Sequence, residues 1–163
     1  KRVAFFRGTA TNTLRVAAAK TFATHPDFDI ALTHSRGGRW CVNKGHVRRL
    51  CASGDTSAFV DPEKWSCYRV LLAIDGHVGL NRWMHLLRSG AYIVRLSNSV
   101  APHCWLSEHV SHAHVDGTAP TWPQDLAACV DRLLRRKAGP RAICESALKV
   151  KMCSSVAATI ITP

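Results

Sequence analysis

Two short segments of the sequence combine residue types that bind anions. In the first, Phe6, Arg7, Gly8, Thr9, Ala10 and Thr11 follow one another. An apolar run ends at an arginine, a glycine lets backbone amides approach a ligand closely, and hydroxyls precede a helix. A guanidinium, amides and a helix N-terminus together suit a diphosphate. The same residues also suit an ordinary strand-to-helix turn with capping threonines, and one glycine is a weak signal. The second segment is Ile74, Asp75, Gly76, His77, Val78, Gly79, Leu80, Asn81 and Arg82. Two glycines precede a helix, and Arg82 falls in its first turns, where a cation opposes the helix dipole. Such a residue serves an anionic ligand better than it serves the helix. Asp75 has the place of a strand-end acid that accepts from a ribose or sugar hydroxyl. The plainer reading is an Asp-Gly turn. The Gly-x-x-Gly spacing is not the dinucleotide fingerprint, and no Gly-x-Gly-x-x-Gly occurs.

Other constellations are weaker. His109, His112 and His114 form the densest histidine cluster, near Cys104. They lack a companion cysteine pair or a His-Glu-x-x-His, so no metal site is expected. No Gly-x-Ser-x-Gly marks a nucleophile. The basic stretches Arg48-Arg49 and residues 132–137 could meet nucleic-acid phosphates. The five tryptophans are scattered rather than interleaved with them, so a solvated face is the plainer reading.

The two loops need strands to aim them. Residues 3–6 read as a buried strand and 14–25 as a helix stopped by Pro26, with Thr11 or Thr13 as its cap. Residues 28–33 read as the second strand, which completes a strand–helix–strand unit. The stretch 35–62 reads as loop, with a short helix at 46–51. Residues 68–74 form the clearest strand, apolar enough to be covered on both faces. Residues 80–89 read as a helix that stops at Gly90, and 91–96 as a strand. Residues 112–115 read as a short strand. Thr121 and Gln124 fit a capping box before a helix over 124–136 with a basic end that complements its dipole. Gly139-Pro140 breaks it, and a last helix is expected over 141–158. Alternation of this kind predicts an α/β, Rossmann-like, doubly wound parallel sheet. Its ligands bind at the carboxyl ends of strands, where the strand order reverses.

Composition agrees with one folded domain. Of 163 residues, 47% are apolar and 20% charged, which excludes a disordered chain. No apolar run reaches the length of a membrane helix. The chain opens at Lys1 directly into an apolar run, as a piece of a longer precursor would. The formal charge of +11 favours anionic partners. Seven cysteines leave at least one unpaired. Cys129 and Cys144 fall in helical patterns as small buried groups, and Cys41 and Cys51 could bridge across a loop in an oxidising compartment.

These residues carry a family resemblance. Tyr68-Arg69-Val70-Leu71-Leu72-Ala73-Ile74-Asp75-Gly76, then Arg82, Leu86-Leu87, Ser89-Gly90 and Ile93-Val94-Arg95, resemble the core of the CAP10-like glycosyltransferases, which include the Rumi-type protein O-glucosyltransferases. Ala4-Phe5-Phe6-Arg7-Gly8-Thr9 is similar to the family's aromatic–arginine–glycine–serine/threonine loop, and His25-Pro26-Asp27 to the segment after its first helix. The resemblance spans residues 3–115 with a gap over 35–64. Ala10, Val70 and Ala73 depart from the family pattern, and 102–114 match only loosely.

The resemblance implies the C-terminal, donor-binding half of a two-domain (GT-B) enzyme that transfers a sugar from a UDP-sugar to a hydroxyl, with inversion and no required cofactor or metal. Arg7, Gly8, Thr9 and Thr11 become candidate phosphate contacts. Asp75, Gly76, Val78, Gly79, Asn81 and Arg82 become candidate nucleotide-sugar contacts. The catalytic carboxylate would lie in an N-terminal acceptor domain or a partner chain, so no catalytic residue is assigned here. The acceptor would be a protein or glycan, and the compartment the lumen of the endoplasmic reticulum or Golgi. The departures and the charge also fit a non-catalytic descendant: a basic structural subunit of a large ribonucleoprotein or membrane assembly, where nucleic acid becomes a partner.

Overall fold

In the computed structural model, residues 1–33, 56–57, 60–76, 83–98 and 113–137 are described. The elements run β1 (Ala4–Gly8), α1 (Thr13–Thr21), β2 (Phe28–Thr33), β3 (Thr56–Ser57), a 3-10 turn (Pro62–Cys67), β4 (Val70–Ile74), α2 (Trp83–Arg88), β5 (Tyr92–Ser97), β6 (Ala113–Asp116) and α3 (Trp122–Arg135). The six strands form one sheet in the order β3-β2-β1-β4-β5-β6. Every pairing is parallel. This is the strand order of the doubly wound Rossmann-like fold, and the order reverses between β1 and β4.

The alternation of side chains along the strands builds two cores. On one face Phe6, Ile30, Leu72 and Val94 join Leu14 and Ala18 of α1 and Leu126 and Val130 of α3. On the other, Phe5, Leu71 and Ile93 join Trp65 of the 3-10 turn and Leu86 of α2. The central strands are apolar on both sides for this reason. All five residues of β4 and all six of β5 are buried.

Several boundaries differ from the sequence reading. β1 runs two residues past Phe6, so Arg7 and Gly8, expected in a loop, are strand residues. An ion pair makes the arginine acceptable there. α1 ends at Thr21 rather than near residue 25. Phe22 turns into the core at 4% exposure and stacks on Phe28, ring centres 4.1 Å apart. Asn12, not Thr11 or Thr13, caps α1: its side chain accepts from the Leu14 N–H at 2.8 Å. Thr121 is the cap residue of α3 but makes no capping bond to the backbone. Its hydroxyl donates to Asp125 Oδ2 at 2.8 Å, so the expected capping box with Gln124 does not form. β3 lies within a stretch read as loop.

Gly90 ends α2 with φ of 67°, a conformation glycine adopts without strain. Cys129 is buried in α3 and Cys67 is exposed, both as free thiols. The other five cysteines, the helices expected at 46–51 and 141–158, and His109 and His112 lie outside the described residues. No helix among the described residues is long and apolar enough to cross a membrane.

Candidate functional site

The reversal of strand order opens the sheet at its carboxyl edge. β1 stays paired with β2 from Ala4 to Gly8, and β4 with β5 from Val70 to Ile74. β1 and β4 pair only at their amino-terminal ends, Ala4 with Val70 and Phe5 with Leu71, among the described residues. Beyond them the two strands are no longer paired, and this switch point, with residues 9–12 after β1 and 75–76 after β4, is where such sheets carry their crevice.

Arg15 spans this crevice. It sits in the first turns of α1 and is 6% exposed. Its Nε and Nη2 donate to the carbonyl of Ile74, the last residue of β4, at 3.2 and 2.9 Å. Its Nη1 donates to the Thr9 carbonyl at 3.1 Å and to Thr11 Oγ1 at 2.9 Å. The guanidinium carbon lies 5.5 Å from the centre of the Phe6 ring. One planar fork thus joins both halves of the sheet where they diverge.

Gly76 completes the contact. A Cβ at this position would lie 2.9 Å from Arg15 Nη2 and 3.3 Å from Thr11 Oγ1. The Asp-Gly pair after β4 therefore serves a close approach to the first loop. Thr9 and Thr11 are half-buried. The Thr11 N–H donates back to the Thr9 carbonyl at 2.8 Å.

Arg7 leans the other way. Its Nη2 meets Asp29 Oδ1 at 2.5 Å, and its Nη1 donates to the Asp29 and Phe6 carbonyls at 2.9 and 3.0 Å. Register sets Asp29 opposite Phe5. The guanidinium therefore reaches back along the strand, over the Phe5 ring, rather than toward the carboxyl edge.

Asp75 is 5% exposed and faces β5. It accepts from Ser97 Oγ, and Arg95 Nη2 lies 3.7 Å from the same carboxylate oxygen. Arg95 Nη2 also donates to Ser97 Oγ at 3.2 Å. The three side chains form a buried polar cluster on the α2 side of the sheet.

The loop after β6 joins this edge too. The Gly117 N–H donates to the Ser97 carbonyl at 2.7 Å, and a Cβ on Gly117 would meet Leu14 Cδ2 at 2.6 Å. Asp116 accepts from the Thr118 N–H and hydroxyl at 2.9 and 2.7 Å. The N–H first, the hydroxyl second and His114 more weakly hold its carboxyl below the usual 3.8.

Of the residues expected to bind a ligand, the structure brings Thr9, Thr11 and Gly76 together around Arg15, with Gly8 at the end of β1. It turns Arg7 toward β2 and Asp75 toward β5. Val78, Gly79, Asn81 and Arg82 lie outside the described residues, and with them the expected convergence of Arg7 and Arg82. Sequence reasoning missed Arg15, Arg95 and Ser97. Arg95 stands in an apolar strand, a placement that signals a paired charge. Arg15 looks like any polar position of a helix. Among the described residues, no group of three or more His, Cys, Asp or Glu side chains could hold a metal.

No family model matches the chain, and no curated protein matches it. Among solved structures, the crystal structure of the glycotransferase of kitacinnamycin is similar, with a TM-score of 0.54 and 18% identity. The chain shares its fold with a glycosyltransferase. The likeness covers 93% of this chain and 38% of that one, so the present chain spans under half the length of its neighbour. At 18% identity the likeness is one of fold, and the crevice between β1 and β4 is the place where that fold binds ligands.

Proposed function

We propose that this chain is the donor-binding domain of an inverting, UDP-sugar-dependent glycosyltransferase of the CAP10-like, two-domain kind. One observation carries the reading: a buried guanidinium, Arg15, bridges the strand-order switch point by donating to Thr9 after β1 and to Ile74 at the end of β4. The donor diphosphate would sit over that point. Gly8, Thr9, Thr11 and the first-turn amides of α1 would face it from one side, and residues 75–82, with Arg82, from the other. Arg15 would place fixed positive charge under the leaving UDP, where negative charge develops during transfer. Arg7 and Asp75 would act by position, holding β1 to β2 and β4 to β5. An N-terminal domain or partner chain would supply the catalytic base and the hydroxyl acceptor, and no metal would be needed.

Calorimetry with UDP, UDP-glucose and UDP-xylose, on this domain and on the full-length protein, tests the reading. The Arg82→Ala change should weaken UDP binding by at least ~1.5 kcal/mol, the low end for a hydrogen bond to a charged group. Fold stability should hardly change. Failure of the full-length protein to bind UDP would end the proposal.

A second reading has its own support. Arg7 and Asp75, the two ionisable candidates among the described residues, both have internal partners, Asp29 and the Ser97–Arg95 pair. A basic structural subunit that kept the fold without the chemistry would look like this. Absence of UDP binding with an intact fold would favour it.

A further inference from the structure

Ser97, the last residue of β5, ties together two loops of the carboxyl edge. It is 0% exposed. Its hydroxyl donates to Asp75 Oδ2 and accepts from Arg95 Nη2 at 3.2 Å. Its carbonyl accepts from the Gly117 N–H at 2.7 Å. Asp75 opens the loop after β4, and Gly117 opens the loop after β6. Both loops press on the first turn of α1. A Cβ on Gly76 would lie 2.9 Å from Arg15 Nη2, and one on Gly117 would lie 2.6 Å from Leu14 Cδ2. At such spacing a small shift of either loop is passed on to the helix.

The hydroxyl also stands between two buried charges. Arg95 Nη2 and Asp75 Oδ2 lie 3.7 Å apart, longer than a direct charge-assisted bond, and Ser97 Oγ is bonded to both. Without that oxygen the carboxylate and the guanidinium are drawn toward each other, and Asp75 shifts along β5. Its chain neighbours move with it. Ile74 offers the carbonyl that takes the Nε and Nη2 donors of Arg15 at 3.2 and 2.9 Å, and Gly76 packs against the same guanidinium. Direct contacts therefore lead from Ser97 through Asp75 to Arg15. Resting on the donor-site reading above, we propose that Ser97 is a positioning residue for the donor diphosphate: buried away from any ligand, it sets where the Arg15 guanidinium stands at the switch point by holding Asp75 to β5. Fixed charge serves a leaving group only where its placement is settled in advance.

The test uses full-length protein as wild type and as the Ser97→Ala and Val130→Ala variants. Val130, 0% exposed in α3, supplies a variant destabilised away from this path. Circular dichroism checks that both fold, and binding is measured well below both melting temperatures. Calorimetry with UDP should show Ser97→Ala binding about fivefold more weakly than wild type, and Val130→Ala within about twofold of it. A second readout needs no ligand. The Arg15 Nε–H resonance, followed by proton–nitrogen NMR, should shift in Ser97→Ala and stay in place in Val130→Ala. Unchanged UDP affinity in Ser97→Ala, an equal loss in Val130→Ala, or an unmoved Arg15 resonance in Ser97→Ala would overturn the proposal. A wild type that binds UDP beside an indifferent Ser97→Ala variant removes this proposal alone. A wild type that binds no UDP removes the donor-site reading, and Ser97 then has no donor to position.

Discussion

Arg15 in α1 donates through Nε and Nη2 to the carbonyl oxygen of Ile74, the last residue of β4 and 59 positions away in the chain. This contact closes the gap that parallel topology leaves between β1 and β4. Replacing Arg15 with methionine keeps most of the side chain's volume and removes its donors. The Ile74 and Thr9 carbonyls then lose these bonds near the switch point. We expect a loss of roughly 2–4 kcal/mol, from the usual cost of losing charged hydrogen bonds at buried acceptors. Urea denaturation measures it, and a loss below about 0.5 kcal/mol would show that the bridge does not hold the sheet halves together.

Gly76→Ala should act through the same guanidinium. The new Cβ would lie 2.9 Å from Arg15 Nη2, a clash that displaces the fork or the loop. A cost of about 1–3 kcal/mol is expected for overfilling a packed site. A double-mutant cycle with Arg15→Met should give strongly non-additive losses, because the alanine has little left to push against once the guanidinium is gone. Additive losses would place the strain elsewhere.

Asp75→Asn should destabilise the domain by roughly 2–4 kcal/mol, since it removes the carboxylate that lies beside a buried guanidinium. Arg95 and Asp75 are each 5% exposed, so solvent can do little to replace the carboxylate. Ser97→Ala should cost less, about 1–2 kcal/mol, because it removes the hydroxyl's bonds to Asp75 and Arg95 but leaves the charge pair in place. Thermal unfolding should therefore give the Asp75→Asn variant a lower midpoint than the Ser97→Ala variant, and the reverse order would count against a buried charge pair.

Asp116 sets part of the acid limb of stability. Its folded carboxyl titrates below its usual 3.8, chiefly because the Thr118 N–H and hydroxyl stabilise the carboxylate. A depressed carboxyl contributes stability above the unfolded value, and the contribution is lost as pH falls through the folded value. The window therefore lies below about pH 4. Thr118→Val removes the hydroxyl and keeps the N–H, so the Asp116 carboxyl should titrate at higher pH, nearer its usual value. Carbon-detected NMR titration of the Asp116 carboxyl reads this directly. A lower titration midpoint in the variant would contradict it.

Gly117→Ala probes how the carboxyl-edge loops pack. Its Cβ would meet Leu14 Cδ2 at 2.6 Å and the Ser97 carbonyl at 3.2 Å. Leucine can shift but the carbonyl belongs to a central strand, so a loss of about 1–3 kcal/mol is expected. Equilibrium denaturation checks it, and an unchanged midpoint would mean that Leu14 moves without cost.

The sequence by itself determined the layers. The continuous apolar run at 70–74, buried on both faces, specifies a central strand of a parallel sheet with helices on both sides. The 3.6-residue stripe of Leu126, Cys129, Val130 and Leu133 specifies the buried side of α3 for the same local reason. These signals need only neighbours a few positions away. The tertiary structure alone decided how the candidate site is built around Arg15. Asn12 rather than a threonine caps α1, because the cap is chosen by where β1 ends, two residues later than its apolar run suggests. Arg7 turns to Asp29 because register, which spacing does not reveal, sets Asp29 opposite Phe5. Arg15 becomes the centre of the crevice because β4, 59 residues away, comes to lie beside β1 and diverges from it. Asp75 turns to Ser97 and Arg95 because β5 pairs with β4. Each choice depends on which strands become neighbours, and strand neighbours are set by burial of the whole sheet rather than by any local run of residues.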